Sequence, residues 1–149
     1  MSKRRLLVII PILVIVILLL IGFLSFRNRA ARTEEVLGLP ADGLGTMQRV
    51  RLALQASGML DRFNAPVNPE MERFLLEVEP GEGVASVLSK IAEGLSFDPE
   101  AMRIYWIYTG ADRLINPGRY ALSGTLTIPQ ITDLVTAAGN SLEIGRAHV

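Results

Sequence analysis

Three carboxylates crowd one short stretch, "FLLEVEPGEG": Glu77, Glu79 and Glu82. Carboxylates so grouped do acid–base chemistry when burial or a neighbour's charge raises the pKa of one of them. The alternation of Phe74, Leu76 and Val78 with Leu75, Glu77 and Glu79 is that of a half-buried strand, and it turns Glu77 and Glu79 toward solvent. A second group is aromatic: Tyr105, Trp106 and Tyr108 in "AMRIYWIYTG". Aromatic faces suit the apolar side of a pyranose ring. Helical spacing directs Tyr105 and Tyr108 into a core. Trp106, on the flank of that stripe, is open between core packing and a sugar platform. Asp98, standing before Pro99, reads as a helix cap rather than a catalyst. Gly81, Glu82 and Gly83 form a Gly-rich turn, but no Lys follows, so a phosphate-cradling loop is excluded.

Other chemistries are bounded by composition. The chain has no Cys and one His, so disulfides, Cys-based metal sites and His-rich clusters are excluded, and no metal or cofactor is expected. The net charge is zero, but six basic residues lie before Thr33 and no acidic ones do. From Thr33 onward nine basic residues stand against fifteen acidic ones, a net of −6. Nucleic acid is thereby excluded as a partner, since affinity for it comes mostly from neutralising phosphates.

The elements that must position these residues begin with "LLVIIPILVIVILLLIGFLSF", Leu6 to Phe26, which carries no charge. At a rise of about 1.5 Å per residue it crosses a hydrocarbon core of roughly 30 Å. Pro11 in its first turns is tolerated in a membrane helix. The run exceeds a usual signal-peptide core, and "RNRAAR" after it is a poor cleavage site, so an uncleaved signal-anchor is expected. Basic residues flank both ends: Lys3, Arg4 and Arg5 before, Arg27, Arg29 and Arg32 after. Charge alone leaves orientation close to a tie; the very short N-terminal tail favours the N-terminus in the cytoplasm.

Residues 33–45 read as a linker of Gly, Pro and charges. Residues 46–63 read as a short helix or stalk, capped by Thr46, with Met47, Val50 and Leu54 at helical spacing. "NAPVNPEME" breaks it. The compact part is expected from residue 73. The strand at "FLLEVEP" leads through a turn to the amphipathic helix "VASVLSKIAEGL", inward at Val84, Val87, Leu88, Ile91 and Leu95, with Gly94 as its C-cap. A helix from Asp98 to Gly110 follows, inward at Ala101, Ile104, Tyr105 and Tyr108. "RYALS" is a second strand. "TIPQITDLVTAA" is a last helix, opened by a capping box of Thr127 and Gln130, inward at Ile128, Ile131, Leu134 and Val135, and ended by Gly139. The fold class expected is a single N-terminal transmembrane helix followed by a small α+β domain of strand–helix–helix–strand order, with a further helix.

That order, with "VEPGEGVASVLSKIAEGLS" and "AMRIYWIYTGADRLINPGRYALSGTLTIPQI", resembles a LysM-like module, and more specifically the N-terminal half of the YceG-like endolytic murein transglycosylases. The family's Gly-x-Tyr-x-Leu strand falls on Gly118, Tyr120 and Leu122; where the family often has Ala-Gly, this chain has Pro117-Gly118. The preceding anchor also matches, and the resemblance covers about residues 5–142. It implies a protein of the bacterial cytoplasmic membrane that cuts peptidoglycan glycan strands internally, on the outer face, with cell-wall synthases as further partners. It implies a carboxylic acid that protonates the glycosidic oxygen while the muramyl C6 hydroxyl closes a 1,6-anhydro ring. The family's catalytic Glu lies in a later module, and no residue here matches it. In LysM-like modules glycan lies along the loops after the first strand and before the second, here Pro80–Gly83 and Gly110–Pro117. Gly81, Glu82, Gly83 and Asn116 in these loops, with Trp106 as the open sugar platform, are the glycan-binding candidates.

The last seven residues, "EIGRAHV", back-translate to the opening bases of a common sequencing-library adapter, whose next triplet in this frame is a stop codon. Residues 143–149, with His148, are therefore expected not to be natural, and the gene to continue. The expected organisation is an anchor over residues 1–32, linker and stalk over 33–72, a LysM-like module over 73–142, and an absent catalytic module. Two other readings stay open: a complete, non-enzymatic anchored module that binds cell-wall glycan, and an unrelated single-pass protein with a small outer domain.

Overall fold

The computed structural model describes residues 3–137. The tail at 143–149 and Gly139 lie outside these residues. Helix α1 spans Lys3–Leu37, and Leu7–Leu37 within it is long and apolar enough to cross a membrane. Its apolar stretch is exposed along its whole length from Leu7 to Phe26, as a lipid-facing helix must be. α1 does not stop at the basic residues. "RNRAARTEEVL" contains neither Gly nor Pro and is rich in strong helix formers, so the helix runs on to Leu37. It ends where Gly38 turns left-handed, at φ +78°, and donates its N–H to the Glu34 carbonyl.

The expected linker and stalk are thus corrected. Thr33 and Leu37 are buried, and Leu37, Leu44, Leu52, Ala56 and Phe63 join one hydrophobic core with the residues beyond 73. Helices α2 (Thr46–Ser57) and α3 (Leu60–Asn64) are packed elements of the domain. Thr46 is not the cap of α2; Gly45 holds that position without a side-chain bond. Met47 and Leu54 face solvent, and Leu52 and Ala56 form the buried face.

Strand β1 (Phe74–Val78) pairs antiparallel with β2 (Gly118–Leu122), Leu76 opposite Tyr120 and Glu77 opposite Arg119. Leu76 and Val78 point inward and Leu75 outward, as the alternation requires. Between the strands lie α4 (Val84–Leu95), α5 (Glu100–Thr109) and a short 3-10 turn at Ala111–Arg113. α6 (Ile128–Thr136) follows. The Thr127–Gln130 capping box is present in both directions, and Gly110 ends α5 at φ +77°. Asp98 accepts from the Glu100 N–H at 3.1 Å, one residue ahead of the Pro99 cap position. Gly94 is not a cap. It lies inside α4, Ser96 takes the left-handed position, and a Cβ on Gly94 would fall 2.3 Å from the Phe74 ring. Close approach of helix and strand is what that glycine provides.

The break at "NAPVNPEME" is a third structural piece beside the sheet. Val67 donates to the Leu126 carbonyl, Asn68 N–H to Gly124, and Gly124 N–H to Met71. The Asn68 side-chain amide reaches the carbonyls of Leu95 and Ser96, capping the end of α4.

Candidate functional site

The loop after β1 and the loop before β2 come together because the strands that carry them are paired neighbours. Val78, the last residue of β1, lies opposite Gly118, the first of β2. Between the loops is a cleft of about 100 Å³, lined by Val78, Glu79, Gly81, Glu82, Val84, Val87, Asp112, Ile115 and Pro117. This is small beside the roughly 300–1,000 Å³ of enclosed ligand pockets.

Glu82 is the best-fixed group in it. Pro80 and Gly81 are the central residues of a turn closed by Glu82 N–H to the Glu79 carbonyl at 3.1 Å, with Gly81 at φ +76° as a type II turn requires. The Glu82 carboxylate then accepts from Lys90 Nζ at 2.6 Å, Ser86 Oγ at 2.7 Å and the Glu79 N–H at 2.9 Å. The Lys90 ammonium first, then the Glu79 N–H and Ser86, hold its pKa down at about 2. Glu100, beside Arg103, is lowered as well. Neither carboxyl can donate a proton near neutral pH, so neither serves as a general acid.

A pH dependence follows. The folded-state pKa of Glu82, about 2, lies below its ordinary value of 4.5, so its contribution to stability is full above 4.5 and is lost as pH falls through 2. Glu82→Gln is expected to lower the denaturation midpoint at pH 7. The gap from the parent chain should close as pH is taken from 4.5 to 2. A gap that stays constant over that range would show that the carboxylate's charge carries none of it.

Other expected site residues land differently. Gly81 and Gly83 border open space, and no atom lies within 4 Å of a Cβ built on either, so a ligand has access to the backbone there. Gly83 has ordinary backbone angles, φ −69° and ψ 143°, and serves as N-cap of α4. Trp106 is corrected: it is 1% exposed, with its ring in the core and its indole N–H bonded to Thr132 Oγ1 at 2.9 Å. A sugar cannot stack on a face that is already packed. Asn116 is corrected too. Its side-chain amide is spent on the Thr136 carbonyl at 2.8 Å, its N–H on Val135, and its carbonyl accepts the Tyr120 hydroxyl at 2.6 Å. It braces the end of α6 against β2 and does not line the cleft. Tyr105 is half-buried against Phe63, and Tyr108 is buried. Desolvation raises the pKa of Tyr105, Tyr108 and Tyr120.

Asp112 was not singled out by the sequence. It reaches the cleft because the 3-10 turn after Gly110 folds that loop back toward Glu82. The only signal for it was its place in the loop before β2. With Glu79 and Glu82 it makes three carboxylate residues along the cleft, acceptors for the hydroxyls of a neutral, hydroxyl-rich chain. Glu77 and Glu79 are solvent-exposed, and Glu77 faces Arg119 across the sheet at 3.8 Å. Among the described residues no cluster of metal-ligating side chains occurs.

Compared with family models, curated proteins and solved structures, the chain finds no match.

Proposed function

We propose that this chain is the membrane-anchored, wall-facing part of a peptidoglycan lytic transglycosylase. Its N-terminus is cytoplasmic, and its LysM-like module holds nascent glycan for a catalytic carboxyl that the described fold does not contain. One observation carries the reading: a helix of membrane-crossing length runs unbroken into the core of a small α+β domain whose two strand-end loops share an open cleft. Such a domain is held at a fixed height above the bilayer, where newly made strands emerge. Pairing of the two strands with helices between them supports the LysM-like part of the reading.

The reaction needs an acid that is protonated at working pH. Glu82, ionised down to about pH 2, fits a role in binding instead. The same fact favours a second reading, a purely binding module. Both readings expect the detergent-solubilised chain to sediment with insoluble peptidoglycan and to release no 1,6-anhydromuramyl products. Product release would place the acid inside this chain. Failure to sediment would remove glycan as the ligand. Sequencing the locus past codon 142 separates the two, since only the enzyme reading requires a second module with a turn-borne Glu.

A further inference from the structure

A wider cleft lies away from the strand-end loops. It is a groove of about 470 Å³ between the C-terminal third of α1 and α2, lined by Phe26, Arg27, Ala30, Glu34, Arg49 and Tyr108, among others. This is the size of a small-molecule site. Its position along α1 is set by the sequence. The apolar run ends at Phe26, so Phe26 lies at the edge of the hydrocarbon and Arg27 at the level of the headgroups. Ala30 and Ala31 stand about one turn, roughly 5 Å, farther out, still within the headgroup layer. Because α1 does not break at Arg27, α2 is held against that same layer.

The charges in the groove are uneven. Among the described residues neither Arg27 nor Arg49 forms an ion pair, and both side chains are exposed. Glu34 stands two turns above Arg27. The Tyr108 phenol is flanked by Glu34 and Arg49, both of which act on its ionisation after desolvation. Apolar walls from Phe26, Ala30, Ala31, Val50 and Ala53 run between them. A guanidinium at headgroup height on Arg27, an apolar floor that continues into the membrane helix, and a second guanidinium with a carboxylate and phenol farther out match an amphiphile with a phosphate near the hydrocarbon and hydroxyls beyond it.

We infer that the groove between α1 and α2 binds the headgroup of an anionic glycerophospholipid, its phosphate on Arg27 and its polar end toward Arg49, Glu34 and Tyr108. The inference rests on α1 crossing the membrane and not on what the strand-end cleft binds. A lipid held here docks the base of the domain on the bilayer and fixes its tilt.

The test uses the full chain reconstituted into nanodiscs of equal phosphatidylglycerol and phosphatidylcholine, then stripped by mild detergent and weighed by native mass spectrometry. The parent chain should keep phosphatidylglycerol in preference to phosphatidylcholine. Arg27→Gln with Arg49→Gln should lose roughly tenfold or more of that retention. Arg29→Gln with Arg32→Gln removes the same charge from the opposite face of α1 and should leave retention unchanged. Equal loss in both double variants would reduce the effect to bulk surface charge and overturn the site. Equal retention of both lipids would overturn the choice of an anionic headgroup. Displacement by millimolar inorganic phosphate would do the same for a lipid occupant. Flotation of the chain with vesicles is the separate check on α1: a chain that fails to float lacks the membrane span on which the groove depends.

Discussion

Replacing Gly124 with alanine is expected to unfold the domain, lowering its thermal midpoint by well over 10 °C. A Cβ there would lie 1.8 Å from the Asn68 carbonyl oxygen, 2.8 Å from its carbon and 3.0 Å from the Met71 carbonyl oxygen. All three are backbone atoms, which cannot swing aside as a side chain does. Relief requires the segment from Pro66 to Met71 to lift off the loop before α6. Lifting it breaks the bonds from Asn68 N–H to Gly124 and from Gly124 N–H to Met71, and frees the Asn68 amide that caps α4. Overpacking costs about 1–3 kcal/mol where side chains can adjust, and each lost buried hydrogen bond adds roughly 1 kcal/mol. About 3 kcal/mol or more is a large share of a domain's usual 5–15 kcal/mol. Ser123→Ala next to it removes only two exposed bonds, with the Thr125 hydroxyl and from the Thr125 N–H, and should move the midpoint little. A Gly124→Ala chain as stable as its parent would mean that the two segments do not touch.

Trp106→Ala should cost about 3–5 kcal/mol, the range for deleting a large buried aromatic. The ring is packed in the core beneath α6, and its N–H satisfies Thr132 Oγ1, itself bonded to the Ile128 carbonyl at 2.8 Å. Trp106→Phe keeps most of the volume and loses the indole bond, so it should cost about 1 kcal/mol beyond the lost area. Trp106 is the sole tryptophan, so fluorescence reports on it without overlap. Its emission should be blue-shifted, shielded from acrylamide and unchanged by peptidoglycan fragments. Emission that responds to glycan would return Trp106 to the role of a sugar platform and contradict its burial.

The corrections share a physical pattern. Periodicity reads well where one face of an element is buried along its length. Leu76 and Val78 on β1, and Val87, Leu88, Ile91 and Leu95 on α4, are apolar at the spacing their burial requires. The capping box at Thr127 and the left-handed Gly110 are local devices, so they too were legible. Residues 33–63 read poorly because their burial is sparse. Ala30, Thr33 and Leu37 do recur at helical spacing, but Thr is ambiguous and the charges around them resemble a linker. Gly94 looks like a cap from its place near a helix end, and only the Phe74 ring above it gives its real reason.

By itself the sequence determined an apolar run long enough to span a membrane, the identity of both strands, the amphipathic helices between and after them, and the absence of cysteine. Each of these depends on neighbours along the chain, through helical rise, strand alternation or residue chemistry. Tertiary structure alone decided that α1 enters the domain core, that Trp106 and Asn116 are internal braces, that Asp112 joins Glu82 at the cleft, and that Arg27 and Arg49 line one groove. Those facts depend on which surfaces meet after the chain has folded back on itself, and contacts between segments tens of residues apart leave no period in a sequence to read.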